Sequence, residues 1–306
     1  MTVAPVPVSP GWLALREEAD ARARSADLVE EFRRRLPPGD RVVVHDLGCG
    51  TGSMGRWLAP RLTGPQHWIL SDRDPALLAI AAIRTPAAGT DGAPVTVETR
   101  QRDITRLDPA ELAGTSLITA SALLDMLTAD ELDRFVAACA SAGCPVLVTL
   151  SVIGRVDLRP ADPLDERVSS AFNAHQRRVV GGRPLLGPDA VGAAVDAFGR
   201  LGFEVAVRPS PWRLGAGQVA LTTELTTELT AQLTTQLTTE LTTELTTELT
   251  TQLTTEWLAG WVGAAREQAP ELVAATTSYK PRRVAEANDG RLSVTVDHQD
   301  LLAWPR

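Results

Sequence analysis

Asp46-Leu47-Gly48-Cys49-Gly50-Thr51-Gly52 sets three glycines at alternate positions, directly after the apolar run Val42-Val43-Val44 and before a helical stretch that starts near Ser53. Glycines so spaced let the backbone turn sharply and come close to a ligand, while the helix start behind them offers unpaired N–H groups to an anionic end. Two classes of ligand use such a turn. Gly50-Thr51-Gly52-Ser53-Met54-Gly55 fits the dinucleotide fingerprint, with Asp72 at the expected distance downstream. A dinucleotide, however, lays a pyrophosphate over the loop, and a carboxylate at Asp46 would repel it. A ligand that brings a cation to that place is welcomed instead.

S-adenosylmethionine carries a sulfonium, an ammonium and a single carboxylate, so one acid at the strand end suits it and the helix start can take its carboxylate. Hydride chemistry is disfavoured on separate grounds. Tyr279 is the chain's one tyrosine and Lys280 its one lysine, and because they are adjacent no Tyr-x-x-x-Lys proton relay can be built.

The run VVVHDLGCGTG resembles the first motif of class I S-adenosylmethionine-dependent methyltransferases, and further motifs follow in order over about residues 40–150. The resemblance implies that Asp46, Gly48, Gly50 and Gly52 form the cofactor loop. It also implies that Asp72, in ILSDRDP, holds the ribose hydroxyls, with Asp74 as a substitute. Asp103, in RQRDITRL, would receive the adenine amino group and Ile104 would pack on the ring; a helix-cap or solvated acid is the plain alternative for Asp103. In LITASALLDML the family presents a polar residue toward substrate. Asp125 is that residue here, as acceptor contact or base, against the alternative of a helix-start acid.

These residues need a scaffold that brings strand ends together. From Arg41 the chain alternates short apolar runs with helical stretches: VVVHDLG, a helix near 53–62, HWILSD, a helix from Pro75 to Ile83, VTVETRQRD, SLITAS, a helix from Asp130 to Ala140, and PVLVTLS. Runs apolar on both faces, separated by helices, predict an α/β fold with a doubly wound, mostly parallel seven-stranded sheet. An amphipathic helix from Trp12 to Leu36, stopped by Pro37-Pro38-Gly39, is expected to cover it, so that residues 1–40 form a helical cover and 41–306 the methyltransferase domain. A helix from Pro188 to Leu201 leads into FEVAVR, helices flank Pro270, and the last strand, LSVTVD, begins near Leu292. His45 inside the first strand reads as a hydrogen-bonded core residue, and His298, placed after the last strand, is given no role.

Residues 152–190 break the rhythm with a polar, Arg-rich segment and are the candidate acceptor cap. Arg155, Arg159, Arg167, Arg177 and Arg178 with Phe172, Asn173 and His175 could hold an anionic acceptor, although Asp157, Asp162, Asp165 and Glu166 oppose that and a solvated mixed-charge helix is the simpler reading. The candidate acceptor contacts are Asn173, Arg177 and Arg178. The candidate catalytic residues are Asp125 and His175.

Residues 221–256 are nine tetrads, mostly Leu-Thr-Thr-Glu, with six Glu and no Lys or Arg. In a helix each tetrad turns the leucine stripe by about 40°, so no flat partner follows it, and Glu at i and i+4 repels. The insert is therefore expected to be helical or disordered, the product of expansion of one short unit. It also holds most of the acidity: without its six Glu, the net charge of −8 falls to −2. A near-neutral body offers no basic footprint, so a nucleic-acid substrate is not expected. The Asp/Asn-Pro-Pro-Tyr and Pro-Cys signatures of nitrogen- and cytosine-methylating enzymes are absent, and so is an acidic cluster for a metal. A small-molecule O, N or C nucleophile is left as the methyl acceptor. The competing reading is a cofactor-binding scaffold without transferase activity whose repeat binds a partner.

Cys49, Cys139 and Cys144 lack the spacing of a zinc site and read as buried free thiols. Phe135 to Gly154 is uncharged, but Gly143 and Pro145 divide it into a helix end, a turn and a buried strand, so no membrane span is expected. With no signal pattern at the start, the chain is expected in the cytoplasm. The oligomeric state is not readable.

Overall fold

The computed structural model describes residues 8–36, 40–215 and 229–306, with side chains from residue 246 onward in the last stretch. Pro37-Pro38-Gly39 and the tetrads at 221–228 lie outside the described residues. In chain order the elements are α1 (Pro10–Ala23), α2 (Ala26–Arg35), β1 (Val42–Leu47), α3 (Ser53–Leu58), β2 (Gln66–Asp72), α4 (Pro75–Arg84), β3 (Val95–Gln101), β4 (Leu117–Ser121), α5 (Ala129–Ser141) and β5 (Val146–Arg159). They continue as α6 (Asp165–Gln176), β6 (Val179–Val180), β7 (Arg183–Pro184), α7 (Ala190–Arg200), β8 (Phe203–Pro209), β9 (Trp212–Gly215), α8 (Leu229–Gln268), α9 (Leu272–Asn288) and β10 (Ser293–Pro305). The chain divides into two compact units: residues 1–155, 176–211 and 297–306, and residues 156–175 with 212–296.

The first unit holds the expected doubly wound sheet, in the order β3-β2-β1-β4-β5-β10-β8. β1 pairs in parallel with β2 and β4, β2 with β3, and β4 with β5, while β10 runs antiparallel to β8. The period-2 alternation of each strand divides the core between two faces. Val42, Val44, Trp68, Leu70, Leu117, Leu147 and Leu302 pack on one side with α2, α3 and α4. Leu47, Ile118, Ala120, Val146, Val148 and Leu301 pack on the other with α5 and α7. Leu28 and Phe32 of α2 are fully buried, each contributing about 1.5 to 3 kcal/mol. The chain leaves β1 toward β2 and β3 and returns to the other side of β1 as β4, which makes the carboxyl ends of β1 and β4 the crevice of the sheet.

Three expectations need correction. The helix read from Trp12 to Leu36 is two helices, because Arg24 and Ser25 are extended (ψ 136° and 108°) and the Ser25 side chain accepts the Leu28 N–H to start α2. β5 runs on to Arg159, through the first part of the segment read as a cap. The last strand runs to Pro305, so His298 lies inside it and is buried rather than following it. A pairing strand, β9, was not foreseen at all; it is bonded antiparallel to Ser293–Val296 in the second unit.

In that second unit α8 joins the repeat to the apolar stretch after it. The described repeat residues, 229–256, are helical, and 40 residues at about 1.5 Å each make a rod of about 60 Å. From residue 246 to 252 no side chain is buried. Burial begins at Leu253 and continues through Trp257, Leu258, Trp261 and Val262. Arg283 of α9 is held by Asp165 of α6 at 2.6 and 2.8 Å and by Glu286 at 2.7 Å, and the Tyr279 hydroxyl donates to Asp165 at 2.6 Å. Among the described residues no helix is long and apolar enough to cross a membrane.

Candidate functional site

The loop that follows β1 is built almost wholly by backbone. Gly48 and Cys49 donate to the Ser71 carbonyl at 2.8 and 3.0 Å, and Gly52 donates to the Cys49 carbonyl at 2.9 Å. Gly50 is at φ +54°, a conformation that costs a side-chain residue energy, and a Cβ there would lie 3.2 Å from Leu13 Cδ1 of α1. At Gly52, φ +80°, a Cβ would meet Ala81 at 3.1 Å. A side chain at either position would run into a packed neighbour, so the loop keeps this close path only with glycine. Asp72, at the end of β2, shapes it: one carboxylate oxygen accepts the Gly50 N–H at 2.9 Å and the other the Asp74 N–H at 3.0 Å.

α1 lies over this loop. Glu17 accepts from Arg56 Nη2 at 2.8 Å and pairs with Arg84 at 3.3 Å, while Arg56 also donates to the Thr51 carbonyl. Those two arginines and Arg24 hold the Glu17 carboxyl below its usual range against the opposing effect of its burial.

Asp46, the residue that chose between ligands in the sequence, is 1% exposed. Its Oδ1 accepts the Thr119 hydroxyl at 2.7 Å across the β1·β4 pair, and its Oδ2 is buried with no donor. Burial, abetted by the Asp72 charge, pushes its pKa up to about 6, against the Thr119 bond and the Arg24 charge. Arg24, at the break between α1 and α2, is 4% exposed. Its Nη2 donates to Ser53 Oγ at 3.0 Å and Ser121 Oγ at 3.2 Å, and its Nε is buried without an acceptor. Burial lowers its pKa, with Asp20, Asp46 and Asp300 opposing. Asp300 is itself fully buried; it accepts the Ser25 N–H and the Leu150 N–H, each at 2.8 Å, and so fixes both the helix break and the left-handed turn of β5 at Leu150, φ +57°.

Asp103 is exposed, and its Oδ1 accepts the Thr105 N–H and hydroxyl at 3.0 and 2.8 Å, the cap role that was its plain alternative. Ile104 packs on the core beside it. Asp125 sits in the single turn Leu124–Met126 just past β4, after Ala122 at φ +50°. Burial raises its pKa, and the charges of Arg16 and Arg178 work the other way. Asp125 and Arg178 both lie in the first unit.

The rest of the cap set is divided. Arg177 is in the first unit, its fork bound to Asp189 at 2.7 Å. Asn173 and His175 are in the second, where His175 Nε2 is 3.1 Å from Glu267 Oε2. Asp162 and Asp165, which opposed an anion site in the sequence, have arginine partners in α9: Arg282 and Arg283. His45 is buried as expected, bonded through Nε2 to Ser71 Oγ at 2.8 Å, and burial lowers its pKa to about 4. All three cysteines are free and buried, with their thiols pushed up by burial.

Sequence reasoning missed Arg24, Arg16 and Glu17, all in the cover. The signal for Arg24 was Ser25, a helix-start residue that splits the cover at that point.

Residues 44–145 match the model of a methyltransferase domain. A search of curated proteins gave no match. Among solved structures, an O-methyltransferase family protein from Burkholderia thailandensis is 18% identical, with 64% of this chain aligned and a TM-score of 0.43. The chain spans about half, 53%, of that protein's length. A methyltransferase from Geobacter sulfurreducens bound to S-adenosyl-L-homocysteine is 14% identical over 97% of this chain and 99% of its own, with a TM-score of 0.41. A geranyl diphosphate methyltransferase bound to S-adenosylmethionine is 13% identical over 98% and 92%, with a TM-score of 0.42. The segment that carries the glycine loop at the crossover of the doubly wound sheet, residues 44–145, is thus the part of the chain similar to a methyltransferase domain.

Proposed function

We propose that the first unit binds S-adenosylmethionine in the Gly48–Gly52 cradle and transfers its methyl group to a nucleophilic O, N or C atom of a small molecule. The observation that carries the cofactor half is the pairing of a side-chain-free loop with a buried, half-satisfied carboxylate at Asp46. Such a carboxylate suits an ammonium and repels a pyrophosphate. Asp72, at the end of β2, is proposed to take the ribose hydroxyls, and Asp103 with Ile104 the adenine. When bound, that cofactor supplies a methyl group on a sulfonium leaving group.

On this reading the chain's main contribution is orientation, which can lower a barrier by about 7 to 11 kcal/mol, against about 3 to 5 kcal/mol for a general base. Asp125 is proposed to accept the proton that a hydroxyl or amine acceptor sheds. Its burial raises its affinity for that proton, which is the direction a base needs. Arg178, whose charge reaches Asp125, is the preferred contact for an anionic group on the acceptor. Arg177, Asn173 and His175 are weaker proposals, since the Arg177 fork is taken by Asp189 and the His175 ring by Glu267.

The test is methyl-labelled S-adenosylmethionine incubated with small-molecule pools, followed by kinetics on the acceptor found. Asp125→Asn should lower kcat about 10²- to 10⁴-fold with cofactor affinity unchanged. Unaltered kcat removes Asp125 as base. Label appearing in RNA or protein and in no small molecule would reject the acceptor class.

A further inference from the structure

We infer that Arg183 is a positioning residue for the acceptor side of the site: from the β6–β7 hairpin it clamps the turn that carries Asp125 and so sets where that carboxylate stands. This rests on Asp125 as the base in the reading above. The turn cannot hold itself. Leu124–Met126 is a single helical turn with no side-chain cap at its start, closed by the Met126 and Leu127 N–H groups at 3.2 and 3.1 Å. It follows Ala122 at φ +50°, a conformation that costs a residue with a side chain energy. So short and strained a segment keeps one geometry only where its surroundings fix it.

Those surroundings come from one stretch of chain. Leu186 donates its N–H to the Leu127 carbonyl at 2.8 Å, and Arg183 Nη2 donates to the Met126 carbonyl at 3.2 Å. The same guanidinium grips Glu131 of α5 with a fork, Nε to Oε1 at 2.8 Å and Nη2 to Oε2 at 2.5 Å. Glu131 is 9% exposed and also accepts the Thr128 N–H at 2.9 Å, closing the reciprocal cap that starts α5. Arg183 therefore ties the residue after Asp125 to a fixed helix start. A plain surface ion pair would stop at Glu131; the bond to Met126 extends the clamp to the turn, and the planar fork of an arginine can serve both partners. The hairpin is held by the same grip. Val180 pairs with Arg183, Val179 pairs with Pro184, and the Arg178 carbonyl accepts the Leu185 N–H at 3.2 Å. The strand from which the Arg178 charge acts on Asp125 is thus fixed along with the turn.

Two measurements test this, and the first needs no acceptor. Asp125 is followed by carbon-13 NMR of the aspartate carboxyls in the full-length protein, its resonance assigned from Asp125→Asn. Burial is the largest influence on that carboxyl and raises its pKa, against the charges of Arg16 in α1 and Arg178 in the hairpin. Arg183→Gln lets water reach the turn, so the Asp125 titration should move down toward the ordinary 3.8, and Arg183→Lys should move it less. In kinetics on the acceptor found, Arg183→Gln should lower kcat about 10- to 100-fold with cofactor affinity unchanged. In the Asp125→Asn background the same substitution should add no loss. The Arg183 side chain is 40% exposed, and a merely structural ion pair there would move neither readout. An Asp125 titration identical in wild type and Arg183→Gln, or kcat losses that multiply in the double variant, overturn the inference. Glu131→Gln breaks the fork from the other side and decides in the same way should Arg183→Gln fail to fold. Unaltered kcat in Asp125→Asn removes the base reading and this inference with it; lowered kcat there beside unaltered kcat in Arg183→Gln removes the inference alone.

Discussion

Arg24 and Arg283 are buried to the same depth, 4% and 1% exposed, and live in opposite surroundings. Arg283, in the second unit, has Asp165 on one side, Glu286 on the other and the Pro160 carbonyl besides. Burial works to lower its pKa, but the bonds to Asp165, Glu286 and Tyr279 outweigh it and the guanidinium is held charged more firmly than in water. Arg24, in the first unit, has hydroxyls and a carbonyl instead of carboxylates, and there burial prevails and lowers its pKa. The difference separates two uses of one residue type. A guanidinium bonded directly to carboxylates cements a fold, whereas Arg24 bonds hydroxyls and a carbonyl and has the charges of Asp20, Asp46 and Asp300 only at longer range.

That contrast breaks most visibly in stability. Asp165→Ala strands Arg283 and should cost about 3 to 5 kcal/mol in urea unfolding of the ligand-free protein. Arg24→Met removes a guanidinium held by hydroxyl and carbonyl bonds, with no carboxylate in contact, and should cost less, about 2 kcal/mol or under. Equal losses in the two variants would erase the distinction.

The Asp46 carboxyl sharpens the same point through pH. Its folded pKa of about 6 lies above the ordinary 3.8, so its contribution to stability is full below pH 3.8 and is lost as pH rises through about 6. Asp46→Asn should therefore match the wild type near pH 4 and exceed it by about 1 to 3 kcal/mol at pH 8. Arg24, Asp72 and Thr119, the groups that act on Asp46, are unchanged in that comparison, as are the raised acids Asp125 and Asp300. Binding of a ligand ammonium favours the ionised form, so affinity should fall below pH 6 in the wild type, by up to about tenfold per pH unit. In Asp46→Asn the profile should be flat there. A sloping profile in the variant would assign the titration to another group.

The smallest effect is expected in the repeat. Deleting residues 221–252, eight whole tetrads, keeps Leu253 and the buried stretch after it, and the residues from 246 to 252 that it removes are not buried. Thermal unfolding should shift by no more than a few degrees, with S-adenosylhomocysteine affinity unchanged. An insoluble deletion variant would instead place the repeat in a core or an obligate assembly.

The strand-to-glycine turn was legible because it is local: VVVHDLGCGTG encodes a buried strand, a sharp turn and a helix start in consecutive residues. The two-faced burial of β1, β2, β4 and the first part of β5 was legible for the same reason, as short continuous apolar runs. Arg24 was not, because its partners are 29 and 97 residues away, and an arginine in an amphipathic stretch reads as solvent-facing. Asp165 was misleading in the opposite sense. It counted as a charge against an anion site, while its actual partner, Arg283, lies 118 residues on. His298 was misplaced because Asp297, His298, Gln299 and Asp300 look like a polar loop; they belong to a strand in which Asp300 faces a buried polar layer between Ser25 and Leu150.

A glycine loop flanked by Asp46 and Asp72 that receives S-adenosylmethionine must discriminate it from a dinucleotide. That discrimination is measured most directly by a calorimetric titration of the wild type and of folded Asp72→Ala with S-adenosylhomocysteine and with NAD. One-site binding of S-adenosylhomocysteine to the wild type, about 10- to 150-fold weaker in Asp72→Ala, and no tight NAD binding are the predicted result. Tight NAD binding by the wild type, or an Asp72→Ala variant with wild-type affinity for S-adenosylhomocysteine, would contradict it.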